Sequence, residues 1–201
     1  MLRFWSSLPL ALLLATTALF AQDVPTISKA SDVAVFGGFV SANTAYTDGS
    51  VYPNDPGKGA FLGMDFTRYF HLPVAPSLEG RANVVQGPYI NEHSYLGGLQ
   101  VQGNIFDRFH PYGDFLAGYG SILYNHPAIP GYTHDNSLVY SYGGGVNLDV
   151  TRNFQAMLDF QAQSWKIGNN AIEKFSPIMF SIGFRYVIPF GPHLSARYNH
   201  N

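Results

Sequence analysis

The residues able to do chemistry in this chain are mostly ionisable side chains spaced at even intervals in alternating segments. Asp65, Glu79, Arg81, Asp114, Asp149, Asp159 and Arg185 all fall on the polar parity of such segments. Five carboxylates and two guanidiniums on one face either lock into ion pairs or line a polar path that favours cations. By position along neighbouring segments, Asp65 stands within reach of Arg81, and Asp159 within reach of Arg185. These are expected as interior ion pairs, because a buried arginine without a carboxylate costs several kcal/mol.

Other constellations carry less. Glu92-His93-Ser94 places an acid, a base and a hydroxyl in succession, but neighbours on a strand point to opposite faces. His93 and Ser94 therefore cannot meet as base and nucleophile without a bulge. His126 and His134, with Asp135, have metal-ligand side chains but no fixed geometry, and read as solvated loop residues. Gly143-Gly144-Gly145 lacks the Lys and helix of a phosphate loop and reads as a strand kink. The absence of cysteine removes thiolate metal sites and disulfides. No catalytic, cofactor or metal site is expected.

The elements that must position the ionic row are short and alternating. Phe175 to Ile188 places Ile178, Phe180, Ile182, Phe184, Tyr186 and Ile188 on one face, with Met179, Ser181, Gly183 and Arg185 on the other. Comparable segments run over Val33–Thr44, Ala60–Tyr69, Leu78–Gln86, Glu92–Ile105, Pro111–Tyr124, Ser137–Asp149 and Phe154–Trp165. In the first of these both parities are apolar, and Ser41 and Asn43 suggest the inward row. Eight segments near the ~10 residues of a tilted membrane strand close the smallest even-numbered barrel, with the apolar face outward. The fold class is therefore all-β, an eight-stranded antiparallel up-and-down transmembrane β-barrel over 33–188. Aromatics near segment ends suggest two girdles: Tyr46, Tyr89, Tyr124, Tyr140, Trp165 and Phe175 toward the loops, and Tyr69, Phe70, Phe106, Phe109, Tyr112 and Phe154 toward the turns.

Composition agrees. Only 12% of the 201 residues are charged while 46% are hydrophobic, an odd pairing for a water-soluble domain. A net charge of -2 without a basic patch argues against nucleic acid as a partner. Residues 1–21 read as a cleaved signal peptide, with Arg3, an apolar run over Leu8–Ala18 and the tripeptide Leu19-Phe20-Ala21. That run is too short to span a bilayer. Residues 22–32 read as a periplasmic lead-in and 189–201 as a C-terminal periplasmic tail.

The glycine-broken segments LGGLQVQGN, PYGDFLAGYG, YSYGGGVNLDV and SIGFRYVI resemble the small eight-stranded outer-membrane barrels typified by the transmembrane domain of outer membrane protein A and by outer membrane protein X. The resemblance covers about Val33 to Ile188 and implies fold and compartment: the cell outer membrane, with its lipid as partner. Ser181, Gly183, Tyr186 and Ile188 resemble the last-strand signal of that family, which implies the barrel insertion machinery as a second partner. The family usually ends there on an aromatic residue, whereas this chain continues from Pro189 to Asn201. The expected role is a non-enzymatic barrel with a plugged polar lumen, structural or surface-interacting through loops whose ligand the sequence does not name. A narrow cation-preferring channel stands beside it. A rim enzyme is a further alternative, since lipid A deacylases and palmitoyltransferases resemble the chain in strand number. A soluble lipocalin-type barrel would invert the two faces.

Overall fold

The computed structural model describes residues 31–43, 56–70, 72–103, 108–125, 133–166 and 175–190. Among them, eight strands follow in chain order: β1 Ser31–Asn43, β2 Pro56–Arg68, β3 Val74–Gln86, β4 Ile90–Gly103, β5 Phe109–Tyr124, β6 His134–Asp149, β7 Phe154–Lys166 and β8 Ile178–Phe190. Each pairs antiparallel with its sequence neighbours, and β8 returns to β1 through pairs such as Gly38 with Gly183. Closure leaves no strand edge unpaired, which backbone polar groups require where water is absent. Short turns hold two of the hairpins. Gly87 N donates to Ile90 O at 2.8 Å between β3 and β4, and Val150 N and Thr151 N both donate to Phe154 O between β6 and β7, at 3.0 and 2.9 Å.

The two parities separate sharply. On β8 the apolar row Ile178 to Ile188 is between 40% and 58% exposed, while Met179, Ser181 and Arg185 between them are at most 2% exposed. Leu62, Met64, Leu78, Leu99, Phe115 and Phe160 continue that outward band around the ring. An apolar band of this extent on the outside and polar side chains inside is the arrangement of a barrel immersed in lipid. It is the reverse of a lipocalin-type barrel.

The strands extend further than their hydrophobic pattern. The ladder spans Ser31 to Phe190 rather than 33–188; β2 begins at Pro56, β3 at Val74 and β6 at His134, inside the expected connections. Alternation of apolar residues stops at the edge of the band, whereas backbone pairing continues into the polar rim. The predicted signal peptide over 1–21 lies outside the described residues, as do Tyr46, Phe106 and His126. Of the lead-in and tail, only Ser31, Asp32, Pro189 and Phe190 are described, and all four belong to strands.

The first strand corrects an expectation. Ser41 and Asn43 point outward, and Phe36, Val40 and Ala42 fill the lumen instead. They join Phe61, Val85, Tyr112, Met157 and Met179 in an apolar cluster, so this part of the interior is packed with hydrocarbon. At its upper end β1 has left the apolar band, and short polar side chains suit the rim.

Candidate functional site: the plugged lumen

Arg81 stands on β3 and reaches across the barrel to β7, four strands away around the ring. Its Nη1 donates to Asp159 Oδ2 at 2.7 Å and its Nη2 to Asp159 Oδ1 at 3.4 Å, while Nε donates to Glu79 Oε1 at 2.9 Å. The guanidinium also lies 5.5 Å from the Phe36 ring centroid and 5.6 Å from that of Phe61, within cation–π range. Asp159 is further held by Tyr112 Oη at 2.7 Å and Gln161 Nε2 at 3.0 Å. Gln161 Nε2 also donates to Asp114 Oδ2 at 2.7 Å, and Ser141 Oγ donates to Gln161 Oε1 at 2.9 Å. The result is a strut across the full width of the lumen, with side chains of β3, β5, β6 and β7 tied into it.

A second network lies toward the turn end. Arg185 on β8 donates from Nε to Asp65 Oδ2 at 3.0 Å and from Nη2 to Asp65 Oδ1 at 2.7 Å, a two-pronged grip across β1 to β2. Its Nη1 donates to Gln155 Oε1 at 2.8 Å, Gln155 donates to Asp149, and Asp149 meets His110 Nε2 at 3.0 Å. Thr67 Oγ1 adds a bond to Asp65 Oδ1 at 3.1 Å. Below this, Tyr69 Oη donates to Asp32 Oδ2 at 2.6 Å.

The seven residues of the expected ionic row all lie on the lumen side, but the partners are exchanged. Arg81 takes Asp159 rather than Asp65, and Arg185 takes Asp65 rather than Asp159. Register explains it. Arg185 lies opposite Gln155 whereas Asp159 lies opposite Ser181, four residues along, or about 13 Å of strand. Gly63, not Asp65, faces Arg81, and Asp65 is opposite Glu79. Arg81 thus crosses the lumen to Asp159, whereas Arg185 reaches over β1 to Asp65 on the same side of the ring.

Lumen-side glycines leave room for neighbouring side chains and strands. A Cβ at Gly63 would lie 2.3 Å from the Phe36 ring and at Gly120 2.2 Å from Trp165, whereas at Gly143 and Gly145 it would first meet backbone, Phe160 O at 2.2 Å and Leu158 O at 2.1 Å, and then Gln161 and Tyr112. The Gly143 to Gly145 run, expected as a strand kink, sits in an unbroken ladder with β5 and β7.

Toward the loops the plug is apolar. Ile90, Leu96, Leu116, Ile122, Tyr124, Val139, Trp165 and Phe175 form one buried cluster, with the Trp165 and Phe175 rings edge-on at 5.6 Å. Tyr112, Tyr124, Trp165 and Phe175 were expected in the outer girdles. They turn inward because they share parity with lumen residues: Tyr112 with Asp114, and Trp165 with Gln163. Outward aromatics are instead led by Phe39, Tyr95 and Tyr119. Glu92 was also overlooked as a lumen residue, although it has the parity of Ser94. It is 1% exposed, and its carboxylate oxygens find no hydrogen-bond partner among the described residues.

The remaining chemical candidates are pulled apart. His93 faces outward while Ser94 is buried and accepts from Asn83 Nδ2 at 3.0 Å. His134 and Asp135 belong to β6, not to a loop, and point to opposite faces. In β8, Ser181 and Gly183 face the lumen, and Tyr186 and Ile188 face outward.

Arg185→Leu is expected to lower the unfolding free energy of the refolded barrel by roughly 3 kcal/mol, because it leaves the Asp65 carboxylate buried and unpaired. Arg185→Leu combined with Asp65→Leu should recover most of that loss in a urea titration. Equal midpoints for the single variant and the wild type would refute the pairing.

Closure, an apolar exterior and an ion-paired interior define a small β-barrel of the transmembrane type. Small eight-stranded outer-membrane β-barrels are among its solved structural neighbours. Ail, the attachment invasion locus protein of Yersinia pestis, superposes with a TM-score of 0.53 at 15% identity, over 81% of this chain and 100% of that one. Neisserial surface protein A superposes with a TM-score of 0.51 at 13% identity, over 78% of this chain and 97% of that one. At such identities the likeness is one of fold. No protein-family model and no curated protein sequence matches this chain.

Proposed function

We propose that this protein is a non-enzymatic barrel of the cell outer membrane, delivered by a cleaved signal peptide and inserted through the β8 signal Ser181, Gly183, Tyr186 and Ile188. Its lumen is plugged, and its role is structural or surface-interacting through the loops at the end where β1 meets β2. The observation that carries this reading is the strut from Arg81 to Asp159, which spans the lumen at its middle with both partners buried. Single-channel recording of the refolded mature protein in a planar bilayer is expected to give stable insertion without discrete openings. Release of the protein from membranes by a carbonate wash would contradict membrane residence.

A narrow cation-preferring channel is the second reading. It is favoured by the excess of buried carboxyl side chains, Asp32, Asp65, Glu79, Glu92, Asp114 and Asp159, over the guanidiniums of Arg81 and Arg185. Reproducible small openings with a cation preference would move the function into the lumen. A lipid-modifying enzyme at the rim has less support, since His93 and Ser94 lie on opposite sides of the wall. His93→Ala is expected to leave the acyl-chain number of the host membrane's lipids unchanged, and a change in that number would restore the enzyme reading.

A further inference from the structure

Among the described residues one buried carboxylate is left without a counterpart. Asp65, Glu79 and Asp159 are held by arginines, Asp114 by Gln161, Asp32 by Tyr69, and Asp149 by His110 and Gln155. Glu92 differs. It is 1% exposed, and neither of its carboxylate oxygens has a hydrogen-bond partner among the described residues. The buried arginines, Arg81 and Arg185, are both engaged elsewhere, and Arg81 stands opposite Leu96, four residues or about 13 Å along β4 from Glu92. An ionised carboxylate so placed calls for a cation against it, because a buried charge with neither a counter-ion nor a hydrogen bond is strongly unfavourable.

The wall around Glu92 is apolar with one hydroxyl in it. Val85 on β3 and Ile122 on β5 stand directly opposite Glu92, and both are buried. Toward the loops, Ile90 and Tyr124 form the next inward pair. Toward the strut, Ser94 is the next residue on the same face. Its Oγ accepts from Asn83 Nδ2 at 3.0 Å and has a second lone pair to offer. Gly120 lies opposite Ser94, and the Trp165 ring covers it, since a Cβ there would be 2.2 Å from the ring edge. The ring therefore reaches the position diagonal to Glu92 across the two strands. Ile90, Ile122, Tyr124 and Trp165 all belong to the buried loop-end cluster.

We propose that Glu92 and Ser94 form a binding site for the ammonium group of a primary alkylamine that enters from the loop end, its hydrocarbon lying against Ile90, Ile122, Tyr124 and Trp165. Three N–H donors match the two carboxylate oxygens and the serine hydroxyl, and the bonds to the carboxylate are charge-assisted. The apolar cluster selects an alkyl chain over a hydrated ion. A divalent metal ion is a poor fit: calcium takes six to eight oxygens and magnesium keeps its waters, and the described residues place no three acidic or histidine side chains together to hold either. A quaternary ammonium has no N–H to donate. The site lies loopward of the Arg81–Asp159 strut, so its occupancy leaves the plug in place. It goes beyond the structural role proposed above and holds in whichever compartment the barrel resides.

Trp165 is the single tryptophan of residues 22–201, so the fluorescence of the mature chain reports on this site directly. The refolded protein in phosphatidylcholine bicelles is titrated at neutral pH, in a constant sodium chloride background, with n-butylammonium, n-butanol and tetramethylammonium. Butylammonium is expected to give a saturable change with an apparent Kd at least about tenfold below that of either comparison compound. Glu92→Gln keeps the shape of the side chain and should remove that preference, and Ser94→Ala should weaken butylammonium roughly fivefold. His93→Gln, on the outward face of the same strand, should leave binding as in the wild type. Butylammonium should also raise the urea midpoint of the wild type and not that of Glu92→Gln. Equal affinity for butylammonium and butanol would show that Glu92 is a neutral acid and would overturn the site. An equal response to tetramethylammonium would overturn the ammonium N–H contacts, and a preference surviving in Glu92→Gln would place the amine elsewhere.

Discussion

Arg81→Leu is expected to be the most damaging single side-chain replacement in the lumen, lowering stability by roughly 5 kcal/mol. The substitution deletes three hydrogen bonds to Glu79 and Asp159 and leaves both carboxylates buried, at 5% and 2% exposure. It also removes the cation packed on Phe36 and Phe61. Tyr112 and Gln161 still donate to Asp159, so that carboxylate keeps partial support, whereas Glu79 loses its salt-bridge partner on the same strand. Urea titration of the barrel in lipid vesicles should show a midpoint well below that of Arg185→Leu. Arg81→Lys should recover only part of the loss, because an ammonium cannot reach Glu79 and grip Asp159 with the geometry of a guanidinium. A midpoint for Arg81→Leu within error of the wild type would show that the strut does not contribute to stability.

Gly38→Val is expected to prevent the barrel from closing. Gly38 faces Gly183 across the pair of strands that joins the two ends of the sheet. A Cβ at position 38 would lie 2.2 Å from Ile182 O and 2.4 Å from Gly183 Cα, both backbone atoms that cannot swing aside. Relief requires β1 and β8 to separate, and an open ring exposes unpaired backbone groups to lipid. The predicted cost exceeds about 4 kcal/mol, the range of exceptional single substitutions. The assay is heat-modifiable mobility and protease resistance after refolding, with Gly80→Val as the comparison. A Cβ at Gly80 would meet nothing within 4 Å, so that variant should fold as the wild type does. Normal folding of Gly38→Val would mean that the seam accommodates a side chain by sliding.

The two results bear on different layers of the molecule. Arg81 tests the contents of the lumen and Gly38 the ring around it. A plug that unfolds without opening the ring would appear as a lowered midpoint with unchanged mobility. That outcome is expected for lumen variants and not for seam variants.

Strand existence was legible because a period of two is imposed by the backbone itself: Phe180 and Ile182 share a face whatever surrounds them. The same parity placed Asp65, Glu79, Arg81, Asp114, Asp149, Asp159 and Arg185 inside together. It contained the inward turn of Trp165 and Glu92 as well: Trp165 shares the parity of Gln163, and Glu92 that of Ser94. The first strand offered no such guide, since VAVFGGFV is apolar on both faces and only its neighbours decide which face is covered.

Alternation, low charge and glycine-rich segments by themselves therefore determined an all-β barrel with an apolar outer wall and an ionic interior. Tertiary structure alone decided who pairs with whom. Register is set by strand pairing around the whole ring, and Arg81 meets Asp159 from the opposite wall, 78 residues away. A one-dimensional pattern specifies the face of each side chain; the distance across a lumen exists only once the sheet has closed.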